Sequence, residues 1–408
     1  MSYIARPRYM DRIEGFLDKP GVAKVLTGMR RSGKSVLLQM IRDRLVDRGA
    51  HPEQILYLNF DVMANMDLRS ARVLDDHIRQ NVPETGPYYV LFDEIQEVDQ
   101  WEHVVNSLIS QGRADIYLTG SNSRLLSSEL ATYIAGRYIS FEVSTLGFSE
   151  YVAFCHETGM GGMDTESQFQ SFLMRGGFPG LFAGNYSDEQ ARQIVTDIYG
   201  STLIRDVLTR RGIRSTETFE RIASFALDNV GNPFSARRVS DFLKSERKTI
   251  SHQTVADYLD AMTEAYLLYR VRRFDLQGKA HLASSEKYYA GDHGLINALL
   301  GYSVVRLPGL LENVVQAELR RRGFNVSVGK LGDREVDFIA TRRGERIYIQ
   351  VSASILDPQT REREYAPLLA IMNSFPKYVL SLDSLAAGNV EGVHHRNLRD
   401  FLLDDSWG

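Results

Sequence analysis

The stretch Gly28-Met29-Arg30-Arg31-Ser32-Gly33-Lys34-Ser35 decides the fold of this chain. It has the form G-x-x-x-x-G-K-S and stands between an apolar run at 22–27 and a second apolar run that begins at Val36. A strand, a glycine-containing loop and a helix N-terminus direct backbone N–H groups and the helix dipole toward one anion. A chance glycine turn is the alternative, and it leaves the flanking runs unexplained. The sequence therefore predicts a nucleoside triphosphate site.

The residues of this loop have separate predicted roles. Gly28 and Gly33 allow backbone angles and a close approach that a side chain would block. Lys34 reaches the β- and γ-phosphates, and the Ser35 hydroxyl is a ligand for Mg²⁺. Two roles stay open for Arg30 and Arg31, contact with phosphate or pairing with acids. The predicted phosphate-binding residues are Gly28, Met29, Arg30, Arg31, Ser32, Gly33, Lys34, Ser35 and Val36.

Two further apolar runs end in residues suited to hydrolysis. The run 88–92 leads into Asp93 and Glu94, as expected of a buried parallel strand whose carboxyl end meets a ligand. Asp93 is predicted to hold Mg²⁺ through its water shell, and Glu94 to polarise the attacking water. The run 115–119 leads into Ser121, a candidate sensor of the γ-phosphate. Arg137 is predicted to stabilise transition-state charge in its own subunit or in a neighbour's, with a solvated loop arginine as the alternative.

Composition excludes several classes of protein. The chain has 408 residues, of which 43% are hydrophobic and 25% charged, and a formal net charge of −4. A generic polycation is excluded, so any nucleic-acid contact is expected to be local. There is no apolar run of about 18 residues, and the N-terminus lacks an apolar signal core, so we expect no membrane partner. The single cysteine, Cys155, forbids an internal disulfide and fits a cytoplasmic location.

The pattern along the chain predicts four segments. Strands alternate with helices in residues 1–146, which favours a parallel sheet covered on both faces. Helical spacing follows in 147–230, a predicted lid. Two capped helices and a hairpin in 231–303 predict a winged helix, and a second α/β unit occupies 304–408.

The winged helix has two predicted uses. In the first, its second helix enters a DNA groove while nearby basic residues contact phosphates. In the second, it contacts only protein, which acids such as Asp257 favour. The predicted DNA-binding residues are Lys244, Arg247, Lys248, His252, Gln253 and Lys279.

On these motifs the chain resembles a bacterial and archaeal family of AAA+ ATPases that carry a DUF4143-type C-terminal region. The resemblance covers essentially the whole length and rests on 28–35, 93–96, 119–121, Gly136-Arg137, 176–179, 311–313 and 335–338. It implies ATP as the nucleotide. It also implies an α/β fold class with an AAA+ P-loop core, a helical lid, a winged helix and a C-terminal PD-(D/E)xK nuclease-like domain. The order of the first three parts looks like that of branch-migration motors and replication initiators, which is an analogy of fold.

The nuclease pattern is incomplete in this sequence. The resemblance places Glu312, Asp337 and a further carboxylate around Mg²⁺, with a lysine two positions later. Those last two positions are Gln350 and Ser352. Gln350 brings no charge and Ser352 supplies no cation. We therefore expect a vestigial site with a structural or nucleic-acid-docking role and no cleavage, unless a lysine from elsewhere, or Arg361 or Arg363, compensates.

Three functions compete at this point. The first is a Mg²⁺-dependent, oligomeric ATPase, expected as a hexameric ring, that remodels or translocates on duplex or branched DNA. The second is an ATP-dependent signalling or defence switch whose winged helix binds protein. The third is an ATP-regulated DNA nuclease.

Overall fold

The computed structural model describes residues 3–123, 134, 136–159, 162–209, 215–245, 250–278, 280–384 and 388–404. The chain forms two compact units. The first contains Met1–Ser144 with Glu264–Tyr266, and the second contains Thr145–Thr263 with Leu267–Gly408. The division of the second unit into lid, winged helix and nuclease-like domain stays a prediction.

A five-stranded sheet forms the centre of the first unit. Its strands are β1 (Ala23–Thr27), β2 (Ile55–Asn59), β3 (Tyr88–Asp93), β4 (Ala114–Gly120) and β5 (Tyr138–Glu142). They lie in the order β2-β3-β4-β1-β5, and every pairing is parallel. Strands β1 and β4 are buried along their whole length, which explains their continuous apolar runs. The predicted parallel sheet is confirmed.

Helices cover both faces of this sheet. Because side chains of a strand alternate between faces, neighbouring residues of β3 enter different cores. Leu91 packs in the core that contains Tyr9 and Leu37, whereas Val90 packs in the core that contains Leu108. The helices of this unit are Pro7–Glu14, Lys34–Asp47, Ala71–Asn81 and Trp101–Gln111 among the described residues.

A buried ion pair joins the two central strands. Lys24 on β1 donates to the carboxylate of Asp115 on β4, and also to the carbonyl oxygen of Lys19 at 2.6 Å. The Tyr117 hydroxyl donates to Asp115 Oδ2 at 2.6 Å. Burial lowers the pKa of Lys24, and the adjacent Asp115 carboxylate opposes that shift. Each charge therefore depends on the other for compensation in the core.

The second unit is built on a mixed nine-stranded sheet. Its strands are β6 (Pro233–Phe234), β7 (Leu268–Asp275), β8 (Ala280–Ala290), β9 (Asn325–Leu331), β10 (Arg334–Arg342), β11 (Glu345–Val351), β12 (Lys377–Ser381), β13 (Asn389–Val390) and β14 (Val393–Asn397). They lie in the order β13-β14-β12-β11-β10-β9-β7-β8-β6. The hairpin β7–β8 and the strands from β9 onward share this sheet, because β7 pairs in parallel with β9.

Helices pack around this sheet and form most of the chain segment that precedes β6. Ser251 caps the N-terminus of one of them, since its Oγ accepts a hydrogen bond from Thr254 N at 3.0 Å. The helices of this unit are Phe148–Glu157, Thr165–Arg175, Asp188–Thr202, a π-helix at Leu203–Thr209, Thr216–Asp228, Ala236–Ser245, His252–Glu264, Gly294–Leu300, Leu307–Arg321, Pro358–Leu369 and Leu398–Leu403.

The end of the helix Thr165–Arg175 at Gly176-Gly177 is explained by a buried carboxylate. Gly176 has φ +84°, and a Cβ atom there would lie 2.1 Å from Asp292 Oδ1. The other oxygen of Asp292 accepts a hydrogen bond from Gly177 N at 2.9 Å. Gly176 is thus needed for the backbone to approach Asp292, and a Cβ atom at Gly177 would lie 2.3 Å from the carbonyl oxygen of Leu146.

Among the described residues, no helix is long and apolar enough to cross a bilayer.

Candidate functional site

The loop after β1 has the backbone that its glycines predict. Gly28 has φ +143°, and a Cβ atom there would lie 2.2 Å from the carbonyl oxygen of Val143. Gly33 has φ +100° and precedes the helix that begins at Lys34. The buried Ser32 Oγ has no hydrogen-bond partner among the described atoms. A polar atom left in this state inside a loop of backbone donors fits a phosphate oxygen as its partner.

An arginine outside the motif braces the loop. Arg6 Nη1 donates to the carbonyl oxygen of Ser32 at 2.9 Å, and its Nη2 donates to that of Ser144 at 3.0 Å. Its guanidinium lies 4.5 Å from the ring centre of Tyr9. Sequence analysis missed Arg6, because no spacing relates it to the loop.

Lys34 lies beside one of the two predicted acids. Its Nζ donates to the carbonyl oxygens of Gly28 and Met29, at 3.0 Å each, and lies 3.9 Å from Glu94 Oε1. The side chain is 3% exposed. The Lys34 ammonium is therefore held against the backbone at the start of the loop.

Ser35 and Asp93 are in direct contact. Ser35 Oγ donates to Asp93 Oδ1 at 3.1 Å, and Asn59 Nδ2 donates to Asp93 Oδ2 at 3.0 Å. Burial raises the pKa of Asp93, while hydrogen bonds from Thr119 and Ser35 oppose that shift. A hydroxyl and a carboxylate are oxygen donors of the kind that Mg²⁺ prefers. These two residues therefore fit the ion that the motif implies.

Thr119 connects the two acids, a role that sequence analysis did not assign. Its Oγ1 donates to Asp93 Oδ1 at 2.5 Å and accepts from Glu94 N at 2.9 Å. Glu94 has φ +56°, an uncommon conformation for a residue with a side chain. Gln96 donates to the Glu94 carboxylate. The motif Asp93–Gln96 is thus fixed by its own hydrogen bonds.

Ser121 lies at the same edge of the sheet as the loop. Gly120 pairs with Thr27, so the residues that follow both strands are neighbours in the sheet order. Ser121 is fully buried. This placement is compatible with its predicted sensing role, which stays a prediction.

Arg137 lies at the opposite edge. It precedes β5, whose first residue, Tyr138, pairs with Ala23 at the start of β1. The five residues of β1, Ala23–Thr27, are separated by four steps of about 3.3 Å, so the strand spans about 13 Å. Arg137 Nη2 donates to Asn106 Oδ1 at 2.8 Å. Arg137 thus lies near the end of β1 that is remote from the phosphate loop, and its role, in its own site or in a neighbour's, stays a prediction.

The remaining loop residues differ in their surroundings. Arg30 Nη1 lies 3.5 Å from Asp61 Oδ2. Pairing with an acid is one of the two roles predicted for Arg30. Arg31 is exposed with φ +66°. Met29 is buried, whereas Val36 is 39% exposed.

Three of the predicted DNA-binding residues can be placed. Lys244, His252 and Gln253 are exposed, and Gln253 Nε2 donates to Asp257 Oδ1 at 3.0 Å. Arg247, Lys248 and Lys279 lie outside the described residues.

The nuclease-like residues meet in the second unit. Glu312, Asp337, Gln350 and Ser352 line one cavity of about 660 Å³. Asp337 Oδ2 accepts from Val351 N at 2.9 Å, and Gln350 Oε1 accepts from Asp337 N at 3.2 Å. Ser352 Oγ donates to the carbonyl oxygen of Ser354 at 2.9 Å.

A lysine that sequence analysis missed lies among these acids. Lys287 Nζ is 3.1 Å from Glu312 Oε2, 2.9 Å from Glu335 Oε1 and 3.8 Å from Asp337 Oδ1. Burial alone would lower the pKa of Lys287, but these carboxylates outweigh it and raise the pKa. The sequence did contain a signal for this position. Lys287 and Tyr289 are two residues apart in the predicted hairpin, so in a strand their side chains share one face.

Comparison with known proteins agrees with the nucleotide site predicted in the first unit. A family model described as an AAA domain matches residues 21–152, and a model described as a domain of unknown function (DUF8612) matches residues 166–305. A solved structure, the Walker-type ATPase paby2304 of Pyrococcus abyssi, is similar with a TM-score of 0.53 at 14% identity, covering 73% of this chain and 96% of that one. That likeness shows the fold alone.

The AAA match covers Lys34, Ser35, Asp93 and Glu94 and agrees with the parallel sheet of the first unit, so residues 21–152 form an AAA domain. An uncharacterized protein of Haemophilus influenzae is 34% identical over 409 residues, covering 98% of this chain and 99% of the relative. The chain therefore belongs to the family of that relative. An uncharacterized protein of Methanocaldococcus jannaschii is 29% identical over 357 residues, covering 85% of this chain and 77% of that protein. The expected DUF4143-type region stays a prediction, because residues 166–305 match a different description.

Proposed function

We propose that the protein hydrolyses ATP at the loop 28–35 and couples hydrolysis to the binding and remodelling of DNA, as an oligomer. The observation that carries the hydrolysis is the meeting of Lys34, Ser35, Asp93 and Glu94 at one edge of the sheet. These are the groups that phosphoryl transfer to water requires.

Each residue has a distinct part in the proposed reaction. Lys34 and the loop amides bind the β- and γ-phosphates. Glu94 orients a water molecule and accepts its proton, while the water oxygen bonds to the γ-phosphorus and the bond to the β–γ bridging oxygen breaks. ADP and phosphate leave. Ser35 and Asp93 would hold Mg²⁺, which neutralises phosphate charge when bound.

The DNA part of the proposal is supported by the second unit. Two helices, Ala236–Ser245 and His252–Glu264, precede the hairpin β7–β8, which is the element order of a winged helix. His252 and Gln253 are exposed at the start of the second helix. The proposal includes a hexameric ring acting on duplex or branched DNA, and a PD-(D/E)xK-like fold for 304–408.

One observation favours the protein-binding switch as a second candidate. Two arginines of β7 lie beside acids, which offset their positive charge. Arg270 Nη2 lies 2.9 Å from Asp260 Oδ1, and Arg272 Nε lies 3.8 Å from Glu286 Oε1. This pairing reduces the basic surface that DNA would require.

Steady-state ATP turnover distinguishes the two candidates. It should be measured at fixed low salt without DNA, with linear duplex, with single strands and with a four-way junction. We expect strong stimulation by one DNA form. Turnover that ignores every form would refute the coupling to DNA and favour the switch.

A pair of variants on one helix tests the hydrolytic site in the same assay. Lys34→Ala removes the phosphate-binding ammonium and should abolish turnover. Arg42→Ala is the matched control, because Arg42 is exposed and pairs with the adjacent Asp43. Normal hydrolysis by Lys34→Ala would refute the proposed site.

A further inference from the structure

We propose that the Lys287 ammonium is the fixed cation of the carboxylate cluster Glu312–Glu335–Asp337, standing in the place that a divalent metal would otherwise take. The inference concerns the second unit alone and does not depend on ATP hydrolysis. It assigns a role to a buried lysine that belongs to none of the sequence motifs.

The position of the ammonium carries the argument. Its Nζ lies within 3.1 Å of two carboxylates and 3.8 Å from a third, and the side chain is 2% exposed. An ammonium has three N–H donors; Glu312 and Glu335 lie at hydrogen-bond distance from it, and Asp337 adds a third negative charge at ion-pair distance. Mg²⁺ needs several oxygens at about 2.0–2.1 Å in near-octahedral geometry. It would have to share Glu312 and Asp337 with a positive charge that cannot leave for solvent.

The carboxylates of the cluster also have other partners. Glu312 Oε2 accepts a hydrogen bond from the Tyr289 hydroxyl at 2.9 Å, and Glu335 Oε2 lies 3.3 Å from Arg273 Nη2. Asp337 Oδ2 accepts from Val351 N. Gln350, in place of a third nuclease carboxylate, uses its Oε1 to accept from Asp337 N and adds no negative charge. The donor set therefore does not fit a divalent ion while Lys287 is present.

The lysine is held where it is by its strand. Lys287 pairs with Val271 on one side and Pro233 on the other. Asn313, next to Glu312, makes two hydrogen bonds to the backbone of Ala290, with Ala290 N donating at 2.6 Å and Asn313 Nδ2 donating at 3.1 Å. This clamp fixes the helix Leu307–Arg321 against β8. The spacing between Lys287 and Glu312 is thus set by backbone contacts.

Manganese binding to the nucleotide-free full chain tests the proposal. The variants are the wild type, Asp337→Asn, Lys287→Met and the double variant Lys287→Met/Asp337→Asn. Mn²⁺ is titrated by electron paramagnetic resonance, and binding at Asp93 is common to all four. We expect no difference between the wild type and Asp337→Asn. Lys287→Met, which keeps the side-chain length without the charge, should gain about one Mn²⁺ per chain, and the double variant should lose it.

Two results would overturn the proposal. One is a wild-type Mn²⁺ site, or Mn²⁺-dependent DNA cleavage, that disappears in Asp337→Asn. The other is a folded Lys287→Met variant that gains no ion. If Lys287→Met does not fold, the comparison of the wild type with Asp337→Asn still decides whether the native cluster holds a metal.

Discussion

At the scale of residues, Thr119 organises the hydrolytic site although it contacts no phosphate-loop residue through a described hydrogen bond. Its hydroxyl donates to Asp93 and accepts from the backbone of Glu94, which has a left-handed conformation. It therefore fixes one acid by its side chain and the other by its main chain. We regard Thr119 as a positioning residue.

Substitution of Thr119 should weaken the use of Mg²⁺ more than the binding of nucleotide. Thr119→Val keeps the shape and removes both hydrogen bonds, whereas Thr119→Ser keeps the hydroxyl. We expect Thr119→Val to raise the half-saturating Mg²⁺ concentration, or to lower turnover, by about 10–100-fold. The measurement is ATP turnover against Mg²⁺ concentration. Equal behaviour of the two variants would show that the hydroxyl has no such role.

At the scale of elements, the pair Lys24–Asp115 links β1 to β4 near the ends of these strands that are remote from the phosphate loop. Both side chains are almost completely buried. A buried pair contributes little net stability, but removal of one partner leaves an uncompensated charge in the core. The free energy of unfolding should therefore fall far more when one partner is replaced than when both are replaced.

Asp115→Ala should lower the free energy of unfolding of the first unit by about 3–5 kcal/mol. The double variant Lys24→Met/Asp115→Leu should lose much less, because no charge remains. Urea denaturation measures both. Arg79→Ala is the surface control, since its pair with Asp75 is worth about 0.5 kcal/mol or less. A double variant no more stable than Asp115→Ala would contradict this explanation.

At the scale of the whole molecule, the position of Arg137 bears on assembly. The arginine lies at the edge of the sheet opposite its own phosphate loop. A role for Arg137 in stabilising transition-state charge in a neighbouring subunit is consistent with this position and stays a prediction. The hexameric ring and the role of Arg137 are thus linked predictions.

Mixing two inactive variants tests that link. Arg137→Ala and Lys34→Ala subunits each lack one half of a shared site. Mixed oligomers should recover part of the wild-type ATP turnover, because some interfaces join an intact arginine to an intact loop. Exchange of subunits must be shown independently, for example by native mass spectrometry. No recovery despite exchange would exclude action between subunits.

The sequence by itself determined the first unit and the chemistry of its loop. The motif 28–35 and the continuous apolar runs are local patterns, and each fixes a strand, a turn or a helix start without distant partners. Asp93 and Glu94 follow from the same logic, because the carboxyl ends of parallel strands meet at one edge.

Only the tertiary structure placed Arg6 at the loop, Thr119 between the two acids and Lys287 among the carboxylates. These contacts join residues 26 apart for Arg6 and Ser32, and 25 apart for Lys287 and Glu312. They depend on strand order and register, such as the parallel pairing of β7 with β9. No local spacing encodes that pairing, since it arises from packing of the whole sheet. The charge that occupies the nuclease-like cluster was for this reason visible only in the fold.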